Sequence, residues 1–335
     1  MVRPTRRTSP GRKLTRKAPS SKPEDTEKKP RRTGFIIVAV VIAVIAIGTV
    51  IGWYVVYVQP LQIPIIVVGQ DTINADYFIR RAMLDPSASS DPMIMLQTLT
   101  NELLIKQGAP RYGIVVTPEE IDEELRAIAS GESETITEGE FKEWYRQQLN
   151  ETNLSDAEFK EYVHITLLAR ELYEYLAARV PSVTEQVYLN IIVLQEYEEA
   201  LEIKERIEAG EAFADIAREV SIHEESRVNG GELGWFPYGA LDDSISWTVS
   251  NLEIGDVSDP LRTGEMSYSI FMVSERAVAR EVDEDSMTIL KARVLDDWIT
   301  EEHGSVKVEF HGRNNGFDSE TYAWIQWQIS RRTRE

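Results

Sequence analysis

Three hydrophobic patterns follow one another along the chain. The first is continuous. Gly34–Val58 reads GFIIVAVVIAVIAIGTVIGWYVVYV, 25 positions without a charge. As a helix it spans about 37 Å, enough to cross a hydrocarbon core of roughly 30 Å with some tilt. The expectation is a transmembrane helix. The rival readings are a cleavable signal, whose apolar stretch is normally shorter, and a buried core helix.

The second pattern has helical spacing. Residues 65–72, IIVVGQDT, read as a short strand and turn, and Asn74 caps a helix through Met83. A further helix lies near Pro92–Gln107. Thr117-Pro118-Glu119-Glu120 is a capping box with proline at the first helical position, opening a helix to about Ala129. Glu138–Leu149 reads as helix. Ser155-Asp156-Ala157-Glu158 is another box, opening a long helix to about Val180 with Phe159, Tyr162, Val163, Leu167, Tyr173, Leu176 and Val180 near one face. His164 in that helix reads as a packed or surface residue.

At Pro181 the pattern changes again. Val187–Leu194, VYLNIIVL, is a β-branched run of strand length. Glu196–Gly210 is a helix with Ala200, Ile203 and Ile207 on one face, and Phe213, Ile216, Ala217 and Val220 mark a second, short one. In SIHEESRVNGGELGWF (221–236) the Gly-Gly pair precedes a strand, where a phosphate cradle would need a helix. Asp243–Leu252 is a helix, Gly255 a turn, and Val257–Leu261 and Tyr268–Ser274 are strands. This makes an α+β unit. Glu284–His303 is a last helix bearing Met287, Leu290, Val294, Leu295, Trp298 and Ile299. The aromatics of YAWIQWQ (322–328) read as packing residues.

Charge divides the chain. The net charge is −20, yet residues 1–33 hold twelve Lys/Arg against three acids, a net +9 that leaves −29 on the rest. The Arg/Lys/Pro/Ser-rich tail cannot bury enough apolar surface to order itself. After the apolar run the next basic residue is Arg80. The positive-inside rule therefore puts the tail in the cytoplasm and residues 59–335 outside, with Trp53, Tyr54 and Tyr57 at the outer interface. The expected partner of Gly34–Val58 is the lipid bilayer, and the acidic outer part argues against nucleic acid. Cysteine is absent, which excludes disulfides, thiolate nucleophiles, Fe–S clusters, Cys-based zinc sites and a lipidated-Cys anchor. Four histidines leave few parts for metal or triad chemistry.

The run from Val187 to Glu275 resembles the parvulin (PpiC-type) peptidyl-prolyl isomerase domain. The matching pieces come in family order: VYLNIIVL, IEAGEAFADIAREVS, NGGELGW, LEIGDVSDP and YSIFMVSE. The layout is similar to the PrsA/SurA class of extracytoplasmic foldases, in which a helical chaperone domain is split around a parvulin insert, and IIVVGQDTINADYF resembles the opening of that domain. The resemblance implies an α+β fold. Its expected parts are a basic tail (1–33), a transmembrane helix (34–58), a mostly helical chaperone domain (59–181), an inserted parvulin-like domain (182–281) and a C-terminal return (282–335).

It also implies a site. Parvulins place a histidine on the first strand, another on the last, and a Cys or Asp before the glycine loop. Those positions carry Asn190, Ser269 and His223, with Asn190 and Ser269 able to hydrogen-bond each other. The proline slot carries Leu241 and Ile245, with Trp235 beside it. Neither Asn190 nor Ser269 titrates near neutral pH. Two functions follow: a membrane-anchored foldase with an isomerase weakened by the lost histidines, or a non-catalytic holdase on the same scaffold. The expected partners are unfolded or proline-containing polypeptides. No cofactor or metal is implied, and the oligomeric state is open.

Overall fold

The computed structural model describes residues 32–131, 135–314 and 316–333. The basic tail up to residue 31 lies outside them. The chain divides into two compact units, residues 1–58 and 59–335. In the first, helix α1 (Arg32–Trp53) continues into a π-helical turn, Tyr54–Val58. It belongs to the one segment among the described residues long and apolar enough to cross a membrane.

The second unit opens with β1 (Pro64–Val68) and β2 (Asp71–Asn74), a hairpin turned at Gly69. Helices α2 (Ala75–Leu84), α3 (Pro86–Ser90), α4 (Pro92–Gly108), α5 (Pro118–Ser130), α6 (Glu138–Thr152) and α7 (Asp156–Ala177) follow. The caps form as the sequence dictates. Asn74 Oδ1 accepts from the Tyr77 amide at 2.9 Å, and complete capping boxes close at Thr117/Glu120, Thr137/Glu140 and Ser155/Glu158. Short α3 was not expected; Asp85 caps it and Pro86 fills its first turn.

The parvulin-like part holds β3 (Val183–Leu194), α8 (Tyr197–Glu208), α9 (Phe213–Val220), α10 (Glu224–Arg227), β4 (Glu232–Pro237), α11 (Asp243–Ser250), β5 (Leu261–Gly264) and β6 (Ser267–Glu281). Its four strands run antiparallel in the order β4-β3-β6-β5. One expectation shifts: the strand placed at Val257–Leu261 starts at Leu261, and Val257 makes only an isolated bridge to Met272. The turn at Gly255 spends those residues on reaching the sheet, where the Gly255 amide donates to Val273 O at 2.8 Å.

The chain then returns through α12 (Glu284–Ser305), β7 (Val308–Phe310) and α13 (Ser319–Arg332). β7 pairs with β1, so residues on both sides of the insert share one sheet, β2-β1-β7. They also share one core: Phe78, Leu99, Leu104 and Leu168 from before the insert meet Trp298, Ile299, Ile325 and Ile329 from after it. YAWIQWQ lies in α13, where Trp324 packs on this core and Trp327 stays 54% exposed. The architecture is a mostly helical domain interrupted by an α+β insert.

A parvulin-type sheet with two unlike faces

Strand parity assigns the side chains of β3. Antiparallel partners share a face, and successive residues alternate. Ile192 and Leu194 pair with Ile270 and Tyr268 and pack under α8 and α9 with Ile203, Phe213 and Ile216. Val187, Leu189 and Ile191 lie on the opposite face with Phe271 and Val273, against Leu241, Ile245 and Val249. Spacing of four along α11 brings Ile245 and Val249 onto the sheet, and the extended residues before the helix bring Leu241 there. The side chains that meet at the expected slot are therefore Ile191, Phe271, Leu241 and Ile245. Leu241 is buried and Ile245 half-buried.

The expected polar trio is not brought together. Asn190 pairs with Met272, on the α8/α9 face, and its Oδ1 accepts from Ser274 Oγ at 2.5 Å. Ser269 pairs with Val193 and is fully buried, its hydroxyl 2.6 Å from Thr263 Oγ1. The hydrogen bond expected between Asn190 and Ser269 does not form. Asn190 and Val193 are three positions apart, an odd step, so the two residues point to opposite faces. Ile191 is the first-strand residue that faces the slot. Trp235 also lies off the slot: it pairs with Tyr188, their rings 5.5 Å apart and edge-on, and the Arg280 guanidinium sits 4.6 Å over its ring.

His223 caps α10. Its Nδ1 accepts from the Ser226 amide at 3.3 Å and lies 2.8 Å from Ser226 Oγ. The preceding residues pin this loop to β3: Ser221 Oγ accepts from the Val193 amide at 3.1 Å, and the Ile222 amide donates to Val193 O at 2.8 Å. The loop closes at Gly231, whose carbonyl accepts from the Ile191 amide at 2.8 Å. At φ +88°, a Cβ on Gly231 would stand 2.6 Å from Ile191 O, so only glycine fits this approach.

Residues 238–242 form a strap carrying Leu241 over the sheet, a 3₁₀ turn (Tyr238–Ala240) ending in extended backbone. The Arg276 guanidinium holds it from inside, donating to the Tyr238 hydroxyl and, at 2.7 Å each, to the carbonyls of Val249 and Leu252. The last two close the C-terminal end of α11 with positive charge. Burial raises the Tyr238 hydroxyl pKa against the opposing pull of Arg276. Sequence reading missed Ile191, Arg276 and this strap. Parity offered the signal for Ile191, since Val187, Leu189, Ile191 and Val193 form an unbroken apolar alternation and Asn190 does not belong to it.

The helical domain holds a cavity of about 430 Å³, walled by Tyr77, Leu99, Leu103 and Ile165 and rimmed by the Arg81 partner Glu102 and by Lys106. No cluster of three or more metal-ligating side chains occurs among the described residues.

Two domain families match this architecture. The PPIC-type PPIASE (peptidyl-prolyl isomerase) domain covers residues 194–275, and the SurA-like N-terminal domain covers residues 28–173. The chain carries a parvulin domain set into a SurA-like one. Its relatives bear the name foldase protein PrsA. That of Caldanaerobacter subterraneus subsp. tengcongensis is 28% identical over 209 residues, covering 61% of this chain and 62% of the relative. That of Halalkalibacterium halodurans is 29% identical over 217 residues, covering 59% and 63%. The chain thus spans less than two thirds of the length of these relatives. Among solved structures, the peptidylprolyl isomerase PrsA of Bacillus cereus matches with a TM-score of 0.37 at 16% identity, covering 82% of this chain and 93% of that one.

Proposed function

We propose that this chain is a PrsA-type extracytoplasmic folding factor, held to the membrane by Gly34–Val58, whose parvulin domain seats proline-containing segments of unfolded polypeptides in the Ile191/Phe271/Leu241/Ile245 slot. The observation that supports it is the slot face itself. Apolar side chains from two strands, the strap and α11 converge there, the environment that favours a desolvated X–Pro amide. The rotation barrier is about 18–20 kcal/mol, and no covalent bond need break to lower it. With Ile191 on the first strand and a buried Ser269 bonded to Thr263, the slot works by shape and desolvation, and its isomerase is weak. A non-catalytic holdase is the second reading. It is favoured by Asn190 facing the far side of the sheet.

An isomerase assay on the full chain in detergent micelles, paired with an aggregation-suppression test, separates the two. Leu241→Ala and Ile245→Ala are each expected to weaken proline-peptide binding about tenfold, the worth of a truncated buried side chain after partial collapse. Unchanged affinity in both would discard the slot. Acceleration lost in Ile245→Ala supports the isomerase. Suppressed aggregation without acceleration supports the holdase. Protease added to intact cells should reach residues 59–335, and full protection would reverse the topology.

A further inference from the structure

The strap that carries Leu241 belongs by sequence to the parvulin domain, yet one of its two anchors comes from the helical domain. On α12, Arg293 Nη1 donates to the main-chain oxygen of Leu241 at 2.6 Å, and Nη2 donates to Asp243 Oδ1 at 2.8 Å. One turn earlier, Leu290 lies against the strap so closely that a Cβ on Gly239 would stand 3.1 Å from its Cδ2. Farther along the same helix, Trp298 is buried in the helical core and its Nε1 donates to Tyr112 Oη at 3.0 Å. From Leu290 to Trp298 is about 12 Å of continuous helix. A single rigid element therefore has one end in the helical core and the other on the slot wall.

We propose that Arg293 is a positioning residue for the slot, fixing Leu241 through its carbonyl so that the helical domain sets where the slot wall stands. The inference rests on the slot reading above. Leu241 sits between two hooks. Arg276 reaches Tyr238 and the end of α11 from within the sheet, and Arg293 reaches Leu241 and the start of α11 from the other domain. The guanidinium suits this place because its planar fork meets a carbonyl and a carboxylate at once, which a lysine ammonium on a flexible stem does not reproduce. Because the contact is to main chain, it holds the wall whatever side chain occupies position 241.

The test compares the full chain in detergent micelles with Arg293→Ala, Arg293→Lys, Arg293→Met and Asp243→Asn, reading amide hydrogen exchange over residues 238–243 and the Kd for a fluorescent proline peptide. Arg293→Ala is expected to speed exchange in the strap while β3 and β6 keep their protection, and to weaken the peptide about tenfold, the worth of one charge-assisted hydrogen bond. Arg293→Lys, which keeps a charged donor, should recover part of that loss, whereas Arg293→Met, which keeps a packing stem and no donor, should not. Asp243→Asn, on an exposed residue, should give a smaller change of the same sign. Strap exchange and Kd both at wild-type values in Arg293→Ala would overturn the proposal. Should β3 and β6 lose protection in that variant, Asp243→Asn decides, and strap exchange unchanged there overturns it. Should the wild-type chain bind no proline peptide, the slot reading fails by itself. Strap exchange then still decides, faster in Arg293→Ala supporting the clamp and unchanged removing it.

Discussion

The helical domain and the parvulin domain are held in different ways. The helical domain uses charge at depth. Arg81, 6% exposed, meets Glu102 through two hydrogen bonds of 2.9 and 2.6 Å, and lies 4.5 Å over the Tyr162 ring. Burial opposes the charge on Arg81, but the Glu102 carboxylate outweighs it and raises its pKa. Arg80 joins α2 to Glu158 at the start of α7, and Arg332 joins α13 to Asp76. In the parvulin sheet the central strands pack mainly apolar side chains on both faces, with Asn190 and Ser269 buried among them, and register decides which residue meets which. A charge network tolerates small shifts along a helix, whereas a shift of one residue in a strand exchanges its two faces.

The strongest way to break this contrast is to remove one partner of the deepest pair. Arg81→Ala leaves Glu102, whose side chain is 17% exposed, without its countercharge. It is expected to cost about 3–4 kcal/mol, since truncating one member strands a buried ion. Denaturant unfolding of the full chain in micelles, followed by exchange protection in α2 and α4, measures it. Protection of β3 and β6 should survive to higher denaturant than that of α2. A midpoint equal to wild type would mean that the pair is energetically a surface pair and the contrast is false.

How much could be read in advance follows the same division. Helix starts are written locally, so the Thr117, Ser155 and Asn74 caps were legible from a few residues each, and α12 from its apolar spacing. The site was legible only in part. Ile245 reaches the slot because α11 keeps its own period, and Leu241 because the strap before that helix carries it over the sheet. Asn190 and Trp235 do not, because a resemblance one residue out of register keeps the strand and inverts its faces. Arg293 was invisible for a different reason. Its partner is a carbonyl about fifty positions away, and main-chain partners leave no trace in side-chain pattern. β7 was missed because a three-residue strand carries too few positions to show alternation.

Register can be tested directly. Ile191→His places an imidazole on the slot face, and Asn190→His places one on the α8/α9 face. A histidine in an apolar slot charges below its ordinary pKa of about 6.5, and a charged ring rejects an apolar proline ring. Proline-peptide affinity in Ile191→His should fall about tenfold between pH 8 and pH 5, a size set by desolvating one charged group. In Asn190→His it should stay flat over that range. The reverse pattern would put Asn190 in the slot and restore the expectation the structure corrects. Titration of peptide binding by fluorescence anisotropy at several pH values distinguishes the two.

The smallest effect concerns pH and the helical domain alone. Glu158 caps α7 and receives Arg80 Nη2 at 2.6 Å. The Arg80 hydrogen bond, helped by Ser155 and opposed by burial, lowers its carboxyl from 4.5 to about 2. A carboxyl whose pKa drops on folding contributes stability that is complete above its unfolded value and disappears as pH falls toward the folded one. The helical domain should therefore weaken between about pH 4.5 and pH 2 through this group. The side chain is 29% exposed, so solvent screening reduces its share to about 1 kcal/mol. Glu158→Gln keeps the cap geometry and removes the charge. Its stability deficit at pH 7 should shrink as pH falls through the window, while Asn190→Ala, in the parvulin sheet, should show no such convergence. A Glu158→Gln deficit equal at pH 7 and pH 2.5, measured by thermal unfolding, would mean that the loss comes from contacts the amide fails to reproduce, with no contribution from the ion pair that ties α2 to α7.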